Sequence, residues 1–146
     1  MSRSRKSHAR QRPTGLNEAI ADSASRIDAA DRPLFDEFAR ILFARLGSVR
    51  GNALPGATLA AIALDTFHLL ETRAPGPARI SIGRVSLPPG QREMAGTLLP
   101  AELSVITVIN DDKQFLVSSV MGEIQARGLK TYVVLHPVHA ARRDDS

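Results

Sequence analysis

Cysteine is absent from this sequence, which excludes disulfide staples, thiolate metal sites and thiol nucleophiles together. Stability must then come from packing, and a reducing compartment is compatible with that. Long apolar runs are also missing: no stretch approaches the roughly 18 consecutive apolar residues that a membrane-spanning helix needs. The basic start is followed by no apolar segment of the secretory kind, so the expected location is cytoplasmic, with no membrane partner. None of the ten glycines lies two residues from another, and no Gly-Lys-Ser/Thr run occurs. Both familiar phosphate-cradling loops are thereby excluded.

Acid is missing from the first twelve residues, which carry Arg3, Arg5, Lys6, Arg10 and Arg12. Without those five, fourteen basic residues face fifteen acidic ones, so the net charge of +4 belongs to the terminus and the body is nearly neutral. Residues 1–14 read as a disordered basic arm that has no apolar surface to bury. It lacks the aromatics that interleave with bases in single-strand binders. A solvated tail is the leading reading, and a small nucleic-acid-binding protein using this arm is the alternative one.

What is present is enough to fold. A hydrophobic content of 43% against 23% charged residues is ordinary globular composition, and 146 residues suit one domain. Gly15 to Ala30 holds a weak helical pattern at Leu16, Ile20 and Ile27. Asp31, as a cap with Pro33 behind it, opens a firmer helix whose apolar stripe is Leu34, Phe35, Phe38, Ile41, Leu42 and Leu46. A second stripe, Leu59, Ile62, Ala63, Phe67 and Leu70, must end before Pro75-Gly76-Pro77. Residues 15–74 are therefore a helical segment, and two of its helices are expected to pair antiparallel.

The period then changes. Ile80 and Ile82, with Val85 as a further candidate, alternate with Arg79, Ser81 and Arg84, as in a strand with one wet face. A loop rich in proline and glycine follows over 88–100. Leu103 to Ile109 is β-branched almost throughout and is the best strand. After Asn110-Asp111-Asp112 the apolar spacing becomes helical through Val117, Val120, Met121 and Ile124, with Asp111 and Gln114 in capping-box order, Asp112 as the equal alternative cap and Gly128 as the stop. Leu129 to Leu135 reads as a further strand. The fold class is thus α+β: a helix pair, then a small sheet with a βαβ unit over 75–146, helix 113–127 covering its strands. Neither Leu103 to Ile109 nor Leu129 to Leu135 contains proline, so an open sheet edge is expected to pair with another chain.

Chemistry-bearing residues are few. His8, His68, His136 and His139 are scattered, and His136-Pro137-Val138-His139 lacks a third ligand at metal spacing, so no metal is expected. Asn110, Asp111 and Asp112 stand where a strand ends and a helix begins, a position at which α/β units bind small ligands. Free amides there accept a carboxylate, and acidic side chains accept an ammonium group. Simple helix capping is the competing reading of the same three residues.

Three stretches resemble, in order, the N-terminal ACT-like region of the large bacterial NAD-specific glutamate dehydrogenases. They are Ile106-Thr107-Val108-Ile109-Asn110-Asp111-Asp112, then Phe115-Leu116-Val117-Ser118-Ser119-Val120-Met121-Gly122-Glu123-Ile124, then Arg127-Gly128-Leu129 through Val134-Leu135-His136-Pro137-Val138. Lys113-Gln114 stand where that family usually has Met-Pro, and Ser118 where it has Asp. The resemblance implies a partial ACT-like, ferredoxin-like half and a non-catalytic regulatory or assembly role. It further implies an amino-acid effector at Asn110, Asp111, Asp112, Phe115 and Ser118. As partners it implies a second copy in a homo-oligomer or the remainder of a glutamate dehydrogenase. In that family the NAD and glutamate chemistry belongs to a region beyond this motif. The expectation here is a short fragment or truncated relative with no catalytic residue and no cofactor of its own.

Overall fold

The structure, a computed structural model, describes residues 15–44, 54–73, 76–94, 97–111 and 114–138. The basic arm expected at 1–14 lies outside them, as do Asp112 and His139. Among the described residues there are four helices: α1 (Leu16–Ala24), α2 (Arg32–Leu42), α3 (Gly56–Glu71) and α4 (Leu116–Ala126). The strands are β1 (Arg79–Ser86), β2 (Glu93–Met94), β3 (Thr97–Leu98) and β4 (Glu102–Ile109). This is an α+β chain, as its sequence pattern predicts.

Helix α1 buries Ala19, Ser23 and Ala24, and such small side chains let it lie close on α3. A Cβ added at Gly56 would come within 2.8 Å of the Leu16 backbone nitrogen, so glycine is required where the two helices meet. At the start of α2, Asp31 occupies the cap position, but its backbone is already helical and its carboxylate makes no cap bond. The neighbouring Arg32 turns back instead. Its Nε donates to the carbonyls of Ala24 and Ile27 at 3.1 Å each, and its Nη2 to that of Ser25 at 3.4 Å. A cation thus closes the carbonyl end of α1, where the helix dipole favours it.

The core joins helices and sheet. Phe67 of α3 meets Phe35 edge-on at 5.4 Å between ring centroids and Phe38 at 5.7 Å, the latter tilted by 52°. Leu87, Leu99 and Leu103 enter the same cluster from the strand side. The stretch over 88–100, expected as a loop, holds a 3-10 turn at Pro89–Gln91 and the two-residue hairpin β2–β3. Arg92 closes it with an Nε bond to the Leu99 carbonyl at 3.0 Å.

Strands β1 and β4 pair antiparallel over their full length, from Arg79 beside Ile109 to Ser86 beside Glu102. The face of β1 that turns inward is the one its own alternation did not point to. Register aligns Val85 with the buried Leu103, Gly83 with Val105 and Ser81 with Thr107, and that face lies towards α3. Ile80 and Ile82 consequently face outward, since neighbouring residues of a strand occupy opposite faces.

Two further expectations are corrected. Leu129 to Leu135 carries no ladder pairing, so the βαβ unit has no second paired strand. Successive residues Tyr132 and Val133, together with Leu135, pack on the core, whereas a strand would send two neighbours to opposite faces. Helix α4 buries none of its residues, and α3 rather than α4 covers the sheet. The α4 stop is as expected: Gly128 has φ 68, its N–H donates to Gln125 at 3.0 Å, and that of Leu129 to Ile124 at 3.2 Å. These are the two bonds of a Schellman cap.

Candidate functional site at the end of strand β4

Beyond Ile109 the chain leaves the ladder through Asn110, whose Oδ1 accepts the Asp111 backbone N–H at 2.9 Å, a local bond between side chain and backbone. The Asp111 carboxylate accepts from Arg73 Nη2 at 3.0 Å. The side chain of Arg73 is only 8% exposed, whereas that of Asp111 is 65% exposed. Arg73 Nε also donates to the Pro77 carbonyl at 3.2 Å. One guanidinium therefore ties the end of α3, the approach to β1 and the exit of β4, and holds Asp111 while leaving it open to solvent. Arginine suits this role because its fork presents several donors in fixed directions.

Sequence reasoning missed Arg73 as part of the site. It lies 38 residues from Asp111, so no local pattern links them. The available signal was a basic residue just past a helix end, and that is sufficiently explained by the helix dipole.

Helix α4 starts at Leu116, and its cap position is Phe115, in the left-handed region at φ 65. Among the described residues no side chain caps it, and the Asp111 carboxylate is bound to Arg73 instead of forming a capping box with Gln114. The first-turn amides have no intrahelical acceptor by construction, so acceptor-seeking N–H groups and an open carboxylate lie on the same short stretch of chain. Asn110 is half-buried, while Asp111, Phe115 and Ser118 are exposed. The Phe115 residue is 76% exposed.

A bulky residue at positive φ costs of order 1–3 kcal/mol, and glycine removes that strain. Phe115→Gly is expected to raise stability by about 1 kcal/mol once the added freedom of the unfolded chain is set against the relief. Urea unfolding measures it, and a loss of stability would mean that the ring contributes packing despite its exposure.

Elsewhere the surface of the described residues offers little. A depression of about 60 Å³ between α3 and the sheet, lined by Ile62, Asp65, Gly83 and Thr107 among others, is far below the several hundred Å³ of small-molecule pockets. Among the described residues no group of three or more His, Asp or Glu could hold a metal ion. No helix there is long and apolar enough to cross a membrane.

Comparison with known proteins gives one family. A family model described as the ACT1 domain of glutamate dehydrogenase matches residues 38–146, about three quarters of the chain, and no catalytic domain is matched with it. No curated protein and no solved structure gives a significant match. The matched span contains α3, the whole sheet, Arg73 and the β4 to α4 junction, and it includes all three stretches on which the resemblance rested. The chain belongs to the glutamate dehydrogenase ACT1 domain family.

Proposed function

We propose that this chain is a non-catalytic regulatory or assembly domain that senses an amino acid at the β4 to α4 junction. The observation that carries the reading is the coincidence of a carboxylate held open by Arg73 with a start of α4 that no described side chain caps. The amides of a helix start favour an α-carboxylate, and Asp111 attracts an ammonium group by a charge-assisted bond. Asn110, Phe115 and Ser118 belong to the same short stretch of chain, and Asp112 follows Asp111 in the sequence. Assembly is the other half of the reading: among the described residues β1 and β4 form a two-stranded ribbon, whose outer edges can take up a second copy or the remainder of a dehydrogenase.

Chemical-shift titration with glutamate and related amino acids tests the sensing half. Asn110, Asp111 and Phe115 are expected to shift at millimolar ligand, and Arg73→Gln to weaken the response by freeing the Asp111 carboxylate from its tether. Unmoved resonances in the folded protein would leave Asn110 and Asp111 with a purely structural role. Glutamate oxidation with NAD is expected to stay at the level of a heat-treated control.

A further inference from the structure

The face of the β1–β4 ribbon turned away from α3 has no cover among the described residues. Register sets Ile80 beside Val108, Ile82 beside Ile106, Arg84 beside Ser104 and Ser86 beside Glu102 on that face. Ile80, Ile82 and Ile106 are 64%, 74% and 46% exposed. Single exposed isoleucines are ordinary, but three adjoining across two paired strands make a contiguous apolar patch of the kind that marks an interaction surface.

The polar end of the same face selects the occupant. Arg84 and Glu102 are both exposed, and neither takes part in an ion pair among the described residues. They bear opposite charges one cross-strand step apart, so the face is neutral in sum and has the complementary sign at each position. A patch that meets its own copy across a twofold axis must be self-complementary in this way. A partner of one charge sign would match only one of the two residues.

We propose that this face packs against the same face of a second copy, about a twofold axis parallel to the strands, with β1 lying over β4 of the partner subunit. The two sheets would lie about 10 Å apart in the aligned manner of a sandwich. Ile82 then stands over the partner's Ile106, and Ile80 over the partner's Val108. Arg84 lies one pleat, about 7 Å along the strand, from the partner's Glu102, within reach of an arginine side chain. An axis running across the strands would leave both charges unpaired. The patch is small, so the dimer belongs to the weak, concentration-dependent class. The inference rests on the assembly half of the reading above and places the contact on the sheet face instead of its edge.

Sedimentation equilibrium of the full chain, from micromolar to millimolar concentration, tests it. The wild type should pass from monomer to dimer. Arg84→Glu and Glu102→Arg should each weaken association by at least about tenfold through paired like charges. Mixing the two variants should restore the dimer, because both repulsions become attractions only in the mixed pair. Ile82→Lys should abolish dimerisation with no change in circular dichroism, as the residue is exposed. A mixture of the two charge variants that stays as monomeric as either alone overturns the proposal. Dimerisation unaffected by Ile82→Lys and by both charge variants also overturns the face contact, while leaving assembly through an edge standing. A wild type monomeric throughout overturns both.

Discussion

Phe67→Ala should cost about 3–5 kcal/mol, the range for removing a buried phenylalanine ring, and leave about 2 kcal/mol or less, down to a half-unfolded population, if the stability of the chain is at the low end of the roughly 5–15 kcal/mol usual for a domain. Phe67 is 3% exposed and is the ring that both Phe35 and Phe38 contact, so its loss opens a cavity lined from two helices at once. Edge-to-face and tilted pairs add about 0.5–1.5 kcal/mol each to the area they bury. Phe67→Leu keeps much of the volume and should cost clearly less. Urea unfolding followed by circular dichroism gives both numbers. A loss below about 1 kcal/mol for the alanine variant would be far outside the range for a packed core ring and would refute this arrangement of α2 on α3.

Gly56→Ala is expected to cost about 1–3 kcal/mol of overpacking. The added methyl would lie 2.8 Å from Leu16 N and 2.9 Å from both Gly15 C and Leu16 Cα. These are backbone atoms, so no side chain can rotate away and α1 itself must move. Alanine ordinarily favours a helix over glycine, and a stabilised variant would therefore show that α1 does not sit on α3. The result bears on the family boundary as well. The match begins at residue 38, yet α1 precedes it and Ala24, Ile27 and Phe35 belong to the common core. The segment ahead of the matched domain is thus built into its packing.

In the candidate site, the sequence revealed the carboxylate and the helix start but not the arginine that holds them. Asp111 and Gln114 have capping-box spacing, and spacing alone offers Asp111 and Asp112 equally as the helix cap. A buried guanidinium presented from just past the end of α3 is a stronger partner for a carboxylate than a neutral amide, and the structure gives Asp111 to Arg73. Helix α4 then begins later than the pattern predicts, behind a left-handed Phe115.

What the sequence determined by itself was everything that depends on neighbours a few residues away. Apolar spacing located α1, α2, α3 and α4, β-branched content located β4, proline and glycine ended α3, and Gly128 closed α4, because helix periodicity, side-chain branching and backbone freedom act over one or two turns. Only the tertiary structure decided which face of β1 is inward, because pairing with β4 and the apolar face of β4 towards α3 fix it together. It also kept Leu129 to Leu135 out of the sheet, where packing of the adjacent Tyr132 and Val133 prevailed over strand propensity, which yields readily to context. The same holds for Gly56 beneath Leu16 and for Arg73 on Asp111: each is a contact between segments about 40 residues apart, and nothing in either segment alone encodes the other.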